Sequence, residues 1–341
     1  MRGESLGSIS RRGILAGAAV LAATPVRAQA APLPVRLSHG YGIHFLPLMV
    51  IRDRKLLETQ AQKMGLPPLE VSWRVLDGGS AINDAMIAGA LDIAGTGAPG
   101  FITLWAKARR SSSAVVGLSA LGAGAQWLNS NRPAVKSLRD LGPGDKIAVP
   151  QIKTSYSAIV LQMAAAKEFG VENYNKLDPI TVGLPHPEAV AALTSGKTEL
   201  TAHMASPPFS HQETEFPNVH RVLSTADLLG PITIDVVYGT RRFADANPKV
   251  IDAFLAAMEE AVQLITTDRP AAVDIYGRTS AIKARPEAIA ELLADPETSF
   301  TIEPKGIMQY VDFLSRTGQI KDPPSRWSEL FVPQVKDRPG S

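Results

Sequence analysis

The sequence of 341 residues contains no cysteine. That excludes a disulfide framework, an N-terminal lipid attachment site, thiolate catalysis and every metal site built on thiolates. Aromatic residues are sparse, at 6% of the chain. The six histidines, His39, His44, His186, His203, His211 and His220, form no H-E-x-x-H and no paired ligand spacing. No G-x-S-x-G elbow and no P-loop pattern occurs. Asp77, Asp84 and Glu188 lie near expected strand ends, but each reads more simply as an acidic helix-start residue favoured by the macrodipole. The expectation is therefore no catalytic residue, no metal and no cofactor.

A long apolar run is also missing. The one apolar stretch near the N-terminus, from about Ile14 to Ala23, is too short to span a bilayer. It follows the arginine pair Arg11 and Arg12 and precedes Ala28-Gln29-Ala30, a small-x-small cleavage site. Residues 1–30 thus read as a signal peptide of twin-arginine type, cleaved near Ala30, which sends the product to the periplasm. Removing them takes four of the 35 basic residues and one of the 33 acidic ones, leaving 31 and 32 and a net charge of −1. The basic balance of the whole chain belongs to the signal, so no nucleic-acid partner is expected.

About 311 residues remain, more than one core usually organises, so two domains are expected. Strand and helix periodicities alternate along them. Strands are expected over 33–40, 68–76, 91–95 and 112–120, with helices over 43–65, 77–90 and 98–109 between them. After a glycine-rich junction at 121–131 a similar series begins: a short helix and strand over 137–150, a helix over 151–170 capped by Ser155, a strand over 178–184, a helix over 185–196 and a strand over 199–204. A short helix and strands over 220–225 and 232–240 follow, and then helices opening near Pro248, Pro270, Pro286 and Pro304. Such alternation means an α/β chain with mainly parallel sheets flanked by helices. The expected organisation is lobe 1 from 31–122 and 232–341 and lobe 2 from 123–231, with two crossovers between them and a cleft where helix N-termini meet a ligand.

The stretch Gly95-Thr96-Gly97-Ala98-Pro99-Gly100 fits G-x-G-x-x-G. A dinucleotide loop needs an acidic residue about twenty positions on to hold the ribose. None stands between Asp92 and Asp140. The motif also falls in the third strand–helix unit, and Pro99 is a poor residue for cradling a pyrophosphate. The nucleotide reading is rejected.

The runs "HGYGIHFLPLMVIRDRKLLE" and "GGSAINDAMIAGALDIAGTGAPGFITLWAKA" resemble the first lobe of periplasmic solute-binding proteins of the nitrate/sulfonate/taurine ABC-transporter family. "SLRDLGPGDKIAVPQIKTSYSAIVLQMAAAKEFG" and "LPHPEAVAALTSGKTELTAHMASPPFSHQE" resemble its second. The resemblance covers roughly residues 35–270 as an ordered set. It implies a type II two-lobed periplasmic binding protein that hands a small molecule to an ABC permease in the inner membrane and works as a monomer. It places the ligand against Gly40, Tyr41 and Gly42, then Gly79 and Ser80, then Thr96, Gly97 and Ala98. Gln126 and Trp127 at the crossover, Thr154, Ser155 and Tyr156 in the second lobe, and His186 and His203 complete the implied set.

The residues themselves agree with a site for an anion. Ser80, Thr96 and Ser155 stand at expected helix N-termini, where free N–H groups hold anionic oxygens without a cation. Each is also an ordinary N-cap, contributing about 1 kcal/mol to its helix. Gln126, Asn129 and His186 depart from the family pattern and favour an organic anion, a sulfonate or carboxylate, over nitrate. The alternatives are a periplasmic enzyme on the same fold and a ligand-sensing protein feeding a membrane receptor.

Overall fold

A computed structural model describes Gly3 and residues 31–341, except Asp77, Gly78, Pro231 and Ala281; of Gly79 and Ser80 it describes the backbone alone. The expected signal peptide, residues 1–30, lies outside the described residues apart from Gly3. Pro32–Ser341 forms one compact unit.

The strands are β1 (Leu33–His39), β2 (Leu69–Val75), β3 (Ile93–Gly97), β4 (Val115–Ala123), β5 (Trp127–Ser130), β6 (Ile147–Val149), β7 (Thr181–Gly183), β8 (Ala202–Ala205), β9 (His220–Ser224) and β10 (Thr233–Thr240). They build two five-stranded sheets, in the orders β2-β1-β3-β10-β4 and β7-β6-β8-β5-β9. The two orders are the same pattern. In each, the first, second and third strands of the series pair in parallel, and one reversed strand separates the third from the fourth. The reversed strand is the first one laid down after the chain arrives from the other sheet: β5 after residues 124–126, β10 after residues 230–232. The structure thus has the α/β fold with mainly parallel sheets flanked by helices that the alternating periodicity implies.

Burial follows strand position. β10, an interior strand between β3 and β4, is buried along all eight residues. Edge strand β2 alternates half-buried Leu69, Val71, Trp73 and Val75 with exposed Glu70, Ser72 and Arg74. β4 is fully buried although it ends its sheet. Its edge is covered by the C-terminal segment, where Gly117 N–H donates to Leu330 O at 2.8 Å and Val332 N–H donates to Gly117 O at 2.9 Å. Pairing an edge strand in this way removes an aggregation-prone row of free backbone groups.

The helices are α1 (Leu46–Arg54), α2 (Leu56–Lys63), α3 (Gly79–Ile87), α4 (Ala98–Ala108), α5 (Tyr156–Phe169), α6 (His186–Ser195), α7 (Phe209–Thr214), α8 (Thr225–Leu229), α9 (Arg241–Ala246), α10 (Pro248–Thr267), α11 (Arg269–Thr279), α12 (Pro286–Ala294) and α13 (Ile307–Arg316). α10 buries Val250, Ile251, Phe254, Leu255, Met258 and Ala261, which recur at helical spacing, against α1 and α2. Proline opens α10 and α12 and sits in the first turn of α4 and α11, where its missing N–H costs nothing.

Several expected elements differ from the structure. The strand expected over 178–184 opens with a 3-10 turn and is strand only at Thr181–Gly183, and the strand expected over 199–204 is Ala202–Ala205. Three further differences have a clear cause. The helix expected over 43–65 is broken at Lys55, whose backbone is left-handed at φ 51° and ψ 42°. α1 packs on α10 and α11, whereas α2 packs on α10 and β2, so the two segments need different directions. The junction expected over 121–131 is mostly strand, because β4 runs on to Ala123 and β5 starts at Trp127. β3 begins and ends two residues later than expected, so Thr96 and Gly97 belong to the strand and α4 takes Gly97 as its N-cap.

Candidate functional site

The carboxyl ends of β1, β2 and β3 face those of β6 and β8 across a narrow cavity of about 60 Å³. The reversed strands meet the same place with their amino ends, which brings Gln126, Ile234 and Asp235 into the wall. Gly40, Tyr41, His44, Leu76, Thr96 and Gly97 line it from the first sheet's side, and Pro150, Thr154, Ser155, Tyr156, His186 and Ser206 from the second's. Among the described lining residues there is no lysine or arginine.

The starts of α4, α5 and α6 line this cavity, and Ile82 near the start of α3 does too. Gly97 and Gly100 line it at the start of α4, Ser155, Tyr156 and Ser157 at the start of α5, and His186 at the start of α6. Neither α4 nor α6 has a side-chain cap on its first-turn N–H groups. These N–H groups and the positive ends of the helix dipoles favour negative charge nearby. In α5 the cap is present: Ser155 Oγ accepts from Ala158 N–H at 3.2 Å and donates to Gln151 O at 2.7 Å.

Two buried polar atoms of lining residues have no partner, Gln126 Oε1 and His44 Nε2. Gln126 is held in place through its backbone, donating N–H to Thr225 Oγ1 at 2.8 Å and accepting from Thr225 N–H at 2.9 Å. A buried acceptor left without a partner is costly, so a donor on a bound molecule would relieve it. Burial pushes the His44 imidazole down to about 4, which keeps it neutral. Tyr156 is buried edge-on to Tyr310, with ring centroids 6.0 Å apart. Burial raises its hydroxyl above the usual tyrosine range, so it remains a neutral wall residue.

His186 is the cavity end of a buried polar chain. Its Nδ1 lies 2.8 Å from His203 Nε2, and His203 Nδ1 lies 2.5 Å from Glu213 Oε1. Asn129 Nδ2 donates to Glu213 Oε2 at 2.9 Å and to Ser210 O at 2.8 Å. His203, Glu213 and Asn129 are wholly buried. Desolvation, and the neighbouring His203, hold the His186 imidazole well below its ordinary range.

Of the residues that the resemblance places at the ligand, Gly40, Tyr41, Thr96, Gly97, Gln126, Thr154, Ser155, Tyr156 and His186 line the cavity. Gly42, Ala98, Trp127 and His203 do not. Gly42 faces the second sheet's loop, where an added Cβ would sit 3.1 Å from Pro207 O. Ala98 is buried in the first turn of α4. The Trp127 ring lies between His211, 4.0 Å from it, and the guanidinium of Arg221, 4.8 Å from it. His203 stands behind His186 in the polar chain. The side chains of Gly79 and Ser80 lie outside the description; α3 starts at Gly79, so Ser80 is within its first turn and is not its N-cap. Thr96 is likewise a strand residue, one before the N-cap of α4.

His44, Leu76, Ser206 and Asp235 line the cavity without having been singled out. Asp235 carried a signal in the sequence, as a lone acidic residue in the apolar run "ITIDVVYGT". His44 carried one too, directly after the glycine loop that follows β1.

No protein-family model matches the chain, and no curated protein matches it by sequence. Solved structures do match in fold. The alkanesulfonate-binding protein SsuA from Xanthomonas axonopodis pv. citri, bound to MOPS, superposes with a TM-score of 0.67 at 18% identity, over 85% of this chain and 95% of that one. The periplasmic aliphatic sulphonate-binding protein SsuA from Escherichia coli gives 0.64 at 20% identity, over 88% and 99%. The periplasmic nitrate-binding protein NrtA from Synechocystis gives 0.66 at 15% identity, over 91% and 86%. The chain therefore has the two-lobed fold of periplasmic solute-binding proteins. Within that fold it is similar to binding proteins for sulfonates and for nitrate. Among the described residues, no helix is long and apolar enough to cross a membrane.

Proposed function

We propose that the chain is the exported substrate-binding component of an ABC importer, a monomer that captures a small organic anion between its two lobes without transforming it. Lobe 1 comprises residues 31–122 and 232–341 and lobe 2 residues 123–231. The observation that carries the reading is the convergence of α4, α5 and α6, from both lobes, on one cavity whose described lining residues include no lysine or arginine. Oriented N–H groups and hydroxyls hold an anion there. The unpartnered Oε1 of Gln126 suits a ligand whose body carries a hydrogen-bond donor away from the anionic head. Fold likeness to binding proteins for sulfonates supports a sulfonate head, and a carboxylate fits the same donors.

Thermal unfolding against a panel of alkanesulfonates, carboxylates, nitrate, pyrimidines and neutral sugars tests this. A ligand at a hundredfold excess over its Kd stabilises the folded state by about 2.7 kcal/mol. A rise in Tm with an organic anion supports the reading; a rise with neutral sugars or bases alone contradicts it.

A further inference from the structure

The Glu213–His203–His186 chain is more than a satisfied core network, because one end reaches the cavity and its polarity has two settings. In the first, the Glu213 carboxylate accepts the Nδ1 proton of His203, and His203 Nε2 accepts the Nδ1 proton of His186. His186 Nε2 then carries a lone pair. In the second, a proton added at His186 Nε2 stays there, and the Nδ1 proton of His186 passes to His203 Nε2. His203 becomes an imidazolium against the Glu213 carboxylate, and His186 stays neutral with an N–H at Nε2. One proton enters, none leaves, and the charge of the chain rises from −1 to zero.

Only the second setting gives an anion a donor from His186. Nδ1 is committed to His203, so Nε2 is the ring nitrogen left for a ligand, and Phe209 stacks on the ring with centroids 5.0 Å apart, which fixes its plane. Asn129 Nδ2 and the burial of Glu213 fix the far end. The other titratable or charged groups around the chain are His211 of α7 and Arg221 of β9, which bracket the Trp127 ring. Across the cavity stand Tyr41, His44, Tyr156 and Asp235. Of these Asp235 is the acid.

We propose that the protein binds its anionic ligand together with one proton, taken up through His186 and held by the His203–Glu213 pair. The proposal rests on the anion-binding reading above. Its consequence is selectivity by charge: with the proton the cavity offers an anion one more donor, and without it His186 repels the same oxygen with a lone pair.

The test begins with the ligand-free full chain, labelled with 15N at histidine. Long-range proton–nitrogen correlations are recorded as the pH is lowered from about 8.5 to about 5.5, a range around the ordinary histidine value. The expected result is a single transition in which His186 exchanges its proton from Nδ1 to Nε2 while His203 becomes doubly protonated. A His186 tautomer that stays the same over the whole range overturns the proposal. Butane-1-sulfonate is then titrated calorimetrically in buffers of different ionisation heat. Above the free-protein transition, uptake approaching one proton is expected, with affinity rising up to about tenfold per pH unit as the pH falls. Binding with no proton uptake there overturns the coupling. If no sulfonate or carboxylate binds at any pH, the anion reading fails, whereas the free-protein titration still decides the behaviour of the chain. Glu213→Gln should remove the transition; the wild-type spectra keep the test valid if that variant does not fold.

Discussion

Gly97, at the end of β3 in the first lobe, packs directly on Tyr156, the first residue of α5 in the second. A Cβ added at Gly97 would lie 2.8 Å from Tyr156 Cβ and 3.4 Å from Tyr156 N. No side chain fits between the two lobes here, and the start of α4 and the start of α5 meet because position 97 has none. Gly97 also has φ −56° and ψ 134°, a conformation open to any residue, so close approach and not backbone strain demands glycine.

Gly97→Val should therefore hold the lobes apart while leaving each lobe intact. Small-angle scattering should show a larger radius of gyration for the variant, and the anion-induced rise in Tm should disappear. Stability without ligand should fall by about 1–3 kcal/mol, because Tyr156 belongs to the apolar core and the atoms that must yield are its Cβ and backbone. An unchanged radius and an unchanged ligand shift would show that the contact does not govern closure.

Thr96→Ala removes a hydroxyl from the cavity wall without opening the core. Anion affinity should fall about tenfold, the equivalent of one hydrogen bond to a charged group. The Tm of the free protein should hardly move. Calorimetric titration of wild type and variant with the same anion measures both.

How far these features could be read in advance differs between fold and site. Alternating Leu69, Val71, Trp73 and Val75 announce β2, and the apolar spacing in α10 announces its packing face, since both depend on local period alone. The break at Lys55 was invisible because it is set by where α10 and α11, some two hundred residues later, meet α1 and α2. The extent of β4 and β5 was hidden for a similar reason, as glycines at 122 and 124 read as loop while β10 pairs with the first of them and makes it strand. In the site, the hydroxyls at strand and helix ends were legible. The family resemblance placed Gln126 at the ligand and Asp235 stood out only as a lone acid in an apolar run; that both reach the cavity follows from β5 and β10 running backwards in their sheets, which no local period shows.

Acid should destabilise the protein through its buried histidines. His44 has an ordinary value of 6.5 and is lowered by burial to about 4 in the fold. With the folded value depressed, the unfolded chain takes up the proton first. Stability is intact above about pH 6.5 and falls as the pH drops toward 4, by about 3 kcal/mol for this one group. His39 and His186 are shifted in the same direction by desolvation. His44→Gln should flatten the pH profile of urea unfolding between those limits; an identical slope in the variant would remove His44 as the cause.

Asp92 ties β1 to the turn before β3. Its carboxylate accepts from Arg36 Nε at 2.9 Å, Arg36 Nη2 at 2.7 Å and the Arg36 backbone N–H at 3.0 Å. The carboxylate is buried and the guanidinium is partly exposed, which limits the Coulombic share of the pair through screening. Asp92→Asn should cost about 1–3 kcal/mol, chiefly by loss of the charge-assisted hydrogen bonds. Chemical denaturation of the ligand-free protein measures it, and a loss near zero would mean that solvent replaces the pair.

A crystal structure of the protein with the anion that raises Tm most tests the central claim directly. The account expects one molecule in the cavity between the lobes, its charged oxygens within hydrogen-bond distance of backbone N–H groups in the first turns of α4, α5 or α6, and its body toward Asp235 and Gln126. An anion bound elsewhere, or one in the cavity whose charged oxygens touch none of those N–H groups, would contradict it.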